Sequence, residues 1–171
     1  MVAVQILIGF LIMILGRWNY ALFAGGVVFY LTSLLLERFV PGQSLVYSLI
    51  LSAVAGFLTG FASYVLKRII AYIVVFLAGG ALLYNLVTTF NWNQTMAGWI
   101  ALVVTGAVCV GMALVSFDFT LILVSTLFGA SIVVQYIQLP LFSDLVWFML
   151  LAAIGLVVQI VLMQYGQPSP D

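Results

Sequence analysis

The chain alternates long apolar runs with short breaks that hold nearly all of its charged residues. A membrane-spanning helix needs about 20 mostly apolar residues, because each residue advances the helix by about 1.5 Å. The breaks lie at 16–19, 37–44, 67–68, 91–95, 116–118 and 138–144. The pattern therefore predicts seven helical spans, at about 2–16, 20–36, 45–66, 69–90, 96–115, 119–137 and 145–165.

The composition indicates where these helices lie. Charged residues are 5% of the sequence, apolar residues are 67%, and the mean hydropathy is +1.38. Since a soluble domain carries about a quarter charged residues, this chain could not cover its surface with polar groups in water. We expect an all-α, polytopic helix bundle in a lipid bilayer. It would form a single seven-helix membrane domain at 1–165 and a short cytoplasmic tail at 166–171.

The basic residues predict the orientation of the bundle. Arg17, Lys67 and Arg68 fall in alternate breaks on one side, and Arg38 falls on the other. Cytoplasmic loops carry an excess of Lys and Arg, so these three act as topology anchors. We expect the N-terminus outside, the C-terminus in the cytoplasm and the protein in the plasma membrane. Ser116 and Asp118 suit the N-terminus of the sixth helix, and Asp118 is predicted as its cap, because a short polar side chain caps free amides and an anion is favourable there.

Glycines recur along the first six spans and suggest an internal repeat. Gly9 and Gly60 each precede an arginine, Arg17 or Arg68, by eight residues, and Gly111 precedes Asp118 by seven. After each turn comes a glycine or glycine pair, at 25–26, 79–80 and 129, of which the last two are 50 residues apart. The spacing predicts three tandem helical hairpins that insert in the same direction, followed by a seventh helix that stands alone.

Small residues form stripes on several spans, and such stripes let helix backbones approach in lipid. The stripes comprise Ser48, Ser52, Gly56, Gly60 and Ser63 on the third span, Gly98, Ala101, Thr105, Cys109 and Ala113 on the fifth, Ser125 and Gly129 on the sixth, and Ala152, Gly155 and Gln159 on the seventh. The first span offers only Gly9 and Gln5. We therefore expect the third and fifth spans at the centre of the bundle and the first at its periphery.

Two interpretations of these stripes stay open. They are packing faces, or the polar members Ser48, Ser52, Thr59, Ser63, Thr105 and Cys109 line a narrow path for a small ion or solute. The amides of Asn85 and Gln135 are expected to form interhelical hydrogen bonds. The deeper Gln159 is the leading candidate for a functional polar residue.

The residues argue against an enzyme. The sequence has no histidine, and no charged residue falls in the middle of a predicted span. Intramembrane charge is the usual mark of proton relays and ion coupling. We expect no catalytic residues, cofactor or metal, and a net charge of zero gives no reason to expect nucleic acid binding. The leading hypothesis is a non-enzymatic protein that associates with itself or another membrane protein; the alternative is a channel or facilitator.

The order of these glycines and turn arginines, with Trp99, Gly106, Gly111 and the Phe128-Gly129-Ala130 run, resembles a known family. This is the domain shared by seven-transmembrane superfamily member 3 and the transmembrane-protein-198-like proteins. The likeness extends from about Gly9 to Leu139. It implies a seven-helix membrane domain with an outer N-terminus and no catalytic residues, associated in animals with signalling scaffolds and stress protection.

Overall fold

The computed structural model describes residues 2–17, 19–40, 42, 44–89, 96–137 and 143–165, with the backbone alone at 67, 96–99 and 163–165. Seven α-helices account for nearly all of this part of the chain. They are α1 (Val2–Leu15), α2 (Tyr20–Phe39), α3 (Leu45–Val65), α4 (Lys67–Thr89), α5 (Met96–Val115), α6 (Phe117–Tyr136) and α7 (Asp144–Tyr165). The predicted all-helical architecture is confirmed, and each helix begins and ends within three residues of the predicted span. The predicted tail, 166–171, lies outside the described residues.

Successive helices run in opposite directions, so the bundle has two ends. We call the end with residues 16, 17, 19, 66 and 116 the Arg17 end, and the end with residues 40, 42, 44 and 137 the Val40 end. Short polar side chains begin two of the helices. Asn19 accepts a hydrogen bond from the Leu22 amide at 3.2 Å, and Ser44 accepts one from the Tyr47 amide at 3.4 Å.

The predicted cap of α6 requires a correction. Ser116, not Asp118, occupies the N-cap position, and its side chain makes no capping hydrogen bond. Asp118 lies in the first turn of α6, and its carboxylate is 3.7 Å from the Arg17 guanidinium. The aspartate therefore pairs with the end of α1 and meets the positive end of the α6 dipole, without capping a free amide.

The first six helices pack as a closed ring. The most extensive contacts join α2 to α3, α4 to α5, and α6 back to α1. Within each predicted hairpin, the contacts of α1 with α2, α3 with α4, and α5 with α6 are much sparser. The second helix of each hairpin thus packs mainly on the first helix of the next, and the third hairpin returns to the first. The seventh helix lies outside the ring against α6 and α1.

A glycine lies at each of the three extensive contacts. A Cβ added to Gly25 would lie 2.8 Å from the carbonyl oxygen of Gly56, and one added to Gly129 would lie 2.5 Å from that of Gly9. One added to Gly79 would lie 2.7 Å from Cys109 Sγ. Such distances are too short for a Cβ. At Gly25 and Gly129 the backbones therefore approach closely only because glycine is present, and at Gly79 the glycine makes room for the Cys109 side chain. These are the glycines that follow the turn in each predicted hairpin.

The order of central and peripheral helices differs from the prediction. In an apolar 18-residue stretch of α6, 72% of the residues are buried, against 17% in the corresponding stretch of α3, and α6 contacts α1, α4, α5 and α7. The prediction that the third and fifth spans are central and the first peripheral is therefore wrong. A small-residue stripe marks one close contact, whereas a central helix must be buried on every side. In α6 the buried residues run almost without interruption from Thr120 to Val134.

The outer surface of the bundle is apolar. Large side chains such as Val115, Phe57 and Val65 are 90%, 74% and 76% exposed. Among the described residues, α2, α3, α4, α6 and α7 are long and apolar enough to cross a membrane, while α1 and the 100–115 part of α5 are shorter apolar segments. A surface of this kind suits contact with lipid chains and not with water.

The glycine contacts predict that Gly56→Leu destabilises the bundle by about 1–3 kcal/mol, the usual cost of overpacking. A Cβ at Gly56 would lie 2.7 Å from the Gly25 carbonyl oxygen, and backbone cannot move aside cheaply. The free energy of unfolding would be measured by denaturation in mixed micelles. Gly111→Leu is the matched control, because a Cβ there meets nothing within 4 Å. Equal stability of the two variants would contradict the assignment.

Candidate functional site

A buried polar cluster lies where the three even-numbered helices meet. The Tyr30 hydroxyl of α2 lies 2.8 Å from Asn85 Oδ1 of α4 and 2.8 Å from Gln135 Oε1 of α6. The Asn85 amide nitrogen donates to Ser131 Oγ at 3.2 Å, and Ser131 donates to the Phe128 carbonyl at 2.7 Å. Tyr30 and Asn85 are fully buried. We call Tyr30, Asn85, Ser131 and Gln135 the Tyr30 cluster.

The hydrogen bonds fix the direction of each donor in this cluster. A tyrosine hydroxyl carries one proton, so it cannot donate to two oxygens at once. Ser131 uses its proton on Phe128, so it must accept from Asn85, and this leaves Asn85 Oδ1 as the acceptor for Tyr30. The second contact is satisfied when the Gln135 amide is turned so that its nitrogen donates to the Tyr30 oxygen. Every bond then has one donor and one acceptor.

The two amides of the cluster lie at the same distance in sequence from the contact glycines of their helices. Asn85 follows Gly79 by six residues, and Gln135 follows Gly129 by six residues. The glycine contacts set the depth of α4 and α6 in the ring, so residues at the same distance from the glycines reach the same level. The expected interhelical hydrogen bonds of Asn85 and Gln135 are confirmed, and their shared partner is Tyr30.

A further polar contact joins α1 to α2 beside the Tyr30 cluster. The buried Gln5 side chain donates to Ser33 Oγ of α2 at 3.2 Å, and Ser33 donates to the carbonyl oxygen of Tyr30 at 2.8 Å. Tyr30 therefore links polar groups of four helices through its side chain and its backbone. The Tyr30 ring also packs edge-on against Phe128 of α6, with the ring centroids 5.5 Å apart.

Gln159 forms the polar contact of α7. Its amide nitrogen donates to the Met13 carbonyl oxygen of α1 at 2.7 Å and to Ser125 Oγ of α6 at 2.9 Å. It is 2% exposed, and its amide oxygen has no partner among the described residues. Gly155 and Ala152 belong to the same buried face, and Gly155 packs on Met13 and Thr126. The predicted stripe of the seventh helix thus fastens it to α1 and α6.

The hydroxyl-bearing residues do not assemble into one path. Ser48, Ser52 and Ser63 are buried on α3, whose main neighbour is α2, whereas Thr105 and Cys109 lie on α5 against α4. Thr105 donates to the Ala101 carbonyl oxygen of its own helix at 2.8 Å. Ser63 and Thr59 likewise donate to carbonyl oxygens of α3. The side chain of Lys67 and any contact of Gly98 lie outside the described residues.

The chemistry available in the two polar contacts is hydrogen bonding between neutral groups. The Tyr30 cluster and the Gln159 contact contain amides, hydroxyls and backbone carbonyls, which exchange no proton near neutral pH. Sequence reasoning identified the amides but missed Tyr30 and Ser131. A tyrosine in the middle of a span is a usable signal, since a buried tyrosine hydroxyl normally needs a partner.

We compared the chain with known protein families, curated proteins and solved structures. Protein-family models, curated proteins and solved structures all give no match to this chain.

Removal of the Tyr30 hydroxyl is expected to destabilise the bundle. Tyr30→Phe leaves the buried Asn85 oxygen and the Gln135 amide without their shared partner, at a cost of about 1–2 kcal/mol. Denaturation in mixed micelles would measure the loss, and Tyr64→Phe, at a position 65% exposed, is the matched control. In a double-mutant cycle, Tyr30→Phe and Asn85→Leu should be clearly non-additive. Strict additivity would show that the two groups are not coupled.

Proposed function

We propose that this chain is a non-enzymatic, seven-span integral membrane protein of the cell membrane that acts through helix–helix association. It would serve as a scaffold or as a component of a membrane complex. The N-terminus lies outside, and the C-terminus lies in the cytoplasm. The tandem repeat and the kinship with the seven-transmembrane superfamily member 3 domain are part of this proposal.

The interior of the bundle supports a packing role. Many polar side chains between helices pair with one another or with backbone carbonyls, as in the Tyr30 cluster and at Gln159. The paired groups are neutral, and in lipid such bonds hold helices together. Three buried serine and threonine hydroxyls have no partner among the described residues, and they belong to Ser48, Ser52 and Thr126. The alternative function, a channel or facilitator, has weaker support, because Ser52 and Thr105 belong to two different helix interfaces.

The exposed face of α3 is the observation that carries the association proposal. Phe57, Phe61 and Tyr64 are 74%, 65% and 65% exposed and form a ridge at helical spacing. Beside the ridge, α1, α2 and α3 enclose an apolar groove of about 490 Å³. A ridge and a groove on the same surface can pair with themselves across a two-fold axis. A second copy of the chain is therefore the simplest partner.

The orientation can be tested with single cysteines. In a Cys109→Ala background, Ser44→Cys marks the Val40 end and Ser116→Cys the Arg17 end, and both serines are exposed. A membrane-impermeant maleimide should label Ser44→Cys on intact cells and Ser116→Cys only after permeabilisation, because the basic residues favour the cytoplasm for the Arg17 end. The reverse pattern would overturn the orientation. Labelling of both sites on intact cells would overturn the seven-span topology.

Association can be tested by energy transfer between labelled copies in vesicles at increasing lipid dilution. Replacing Phe57 and Phe61 by alanine should weaken association by about tenfold, since about 1.4 kcal/mol of contact is lost. The fold should survive, because both side chains face outward. Val108→Ala with Leu114→Ala, on the exposed face of α5, is the matched control. A wild type that stays monomeric, or a ridge variant that associates normally, would contradict the proposal.

A further inference from the structure

A second apolar groove, distinct from the α3 ridge, lies near the Val40 end between α2, α4 and α5. It encloses about 920 Å³, which is within the range of about 300–1,000 Å³ typical of small-molecule sites. Its apolar lining includes Leu31, Leu34, Phe76, Leu77 and Leu102. All three helices contribute to the lining, so the groove is a feature of the folded bundle and not of a single helix surface.

The mouth of the groove is polar and carries both signs of charge. Glu37 and Arg38, in the last turn of α2, line it together with Tyr84 of α4. The Arg38 guanidinium donates a hydrogen bond to the Tyr84 hydroxyl at 3.2 Å, which holds the cation against α4. Among the described residues, the structure shows one ion pair, and it joins Arg17 to Asp118. The charges of Glu37 and Arg38 therefore have no ion-pair partner in this part of the chain.

The depth of the groove matches one leaflet of a bilayer. Tyr84 at the mouth and Phe76 at the inner end are eight residues apart on α4. This separation corresponds to about 12 Å at a rise of about 1.5 Å per residue. One leaflet contributes about 15 Å of hydrocarbon, half of a core about 30 Å thick. An occupant with its head at Arg38 would therefore keep its apolar part within one leaflet.

We propose that this groove binds one membrane phospholipid whose headgroup carries a phosphate and a primary ammonium group, such as phosphatidylethanolamine. The acyl chains fill the apolar lining, Arg38 and Tyr84 bind the phosphate, and Glu37 binds the ammonium. A primary ammonium donates hydrogen bonds to a carboxylate, whereas a quaternary choline cannot. An anionic headgroup without an amine would meet the unpaired charge of Glu37. The inference rests on the proposal that the chain spans a membrane, but not on self-association.

Lipid retention by the purified full chain tests the site. Native mass spectrometry would follow competition among phosphatidylethanolamine, phosphatidylcholine and phosphatidylglycerol with identical acyl chains. We expect phosphatidylethanolamine to be retained at least about threefold better than the other two, as one partly exposed ionic contact allows. Glu37→Gln should remove this preference, and Arg38→Gln should lower retention of all three lipids. Equal retention of all three lipids by the wild type would overturn the headgroup assignment.

Substitutions within the groove test its location. Gly80→Phe places a ring in the groove, and its Cβ meets only the Leu102 carbonyl oxygen at 3.4 Å, an ordinary contact. Lipid retention should fall at least about threefold, with the melting temperature unchanged. Gly111→Phe, on an open surface of α5, is the matched control. Unchanged retention in both Gly80→Phe and Arg38→Gln would overturn the site. Since self-association is measured separately by energy transfer, loss of either property can be distinguished from loss of the other.

Discussion

Close contact between helix backbones at glycine is the constraint on which the rest of this structure depends. Lipid chains are as apolar as leucine side chains, so burying apolar surface gives helices little reason to associate in a bilayer. Dispersion forces and hydrogen bonds between helices supply the attraction instead, and dispersion decays steeply with distance. At Gly25, Gly79 and Gly129 the facing helices approach so closely that a methyl group would not fit. The first two contacts join α2 to α3 and α4 to α5, and the third joins α6 back to α1 and closes the ring.

Ring closure determines which helices lie inside. When α2 faces α3, α4 faces α5 and α6 faces α1, the other faces of α2, α4 and α6 turn toward one another. Tyr30, Asn85 and Gln135 then meet at one level and satisfy their polar groups together, because Tyr30 and Asn85 are fully buried and an unpaired buried polar group is costly. The composition of the cluster follows from the Tyr30 hydroxyl, which has one proton to donate and an oxygen that can accept. The Asn85 amide accepts that proton, the Gln135 amide donates to the oxygen, and Ser131 accepts from the nitrogen of Asn85.

The sequence predicts the helices better than their arrangement. Polar residues interrupt every apolar run, and they include a charged residue in every break except 91–95, so the limits of the helices follow from the polar pattern alone. The central position of α6 did not follow, because its buried residues include Val124, Phe128 and Ile132 as well as small ones. In a membrane span, apolar residues look the same whether they face lipid or protein. The stripe on α3 correctly marks a contact face, but a stripe reports one neighbour and not the number of neighbours.

The same ambiguity explains which parts of the polar sites could be predicted. Asn85, Gln135 and Gln159 stand out in sequence because amides are costly in lipid without partners. Tyr30 does not stand out, since tyrosine is also common on membrane surfaces, where its hydroxyl reaches the interface. Only the closed ring of six helices places the Tyr30 side chain in the interior. The partner of Gln159 includes a backbone carbonyl, that of Met13, and no residue pattern encodes such an acceptor.

One helix, α2, takes part in the glycine contact, in the Tyr30 cluster and in the groove near the Val40 end, because its different faces serve different neighbours. Gly25 faces α3, Tyr30 faces α4 and α6, and Arg38 lies at the mouth of the groove beside Tyr84. A rotation of α2 that improved one of these contacts would disturb the other two, since side chains on a helix turn together. The Tyr30 hydrogen bonds therefore fix more than the core. By fixing the rotation of α2, these hydrogen bonds also influence the direction in which the α3 ridge and the charged residues Glu37 and Arg38 face the membrane.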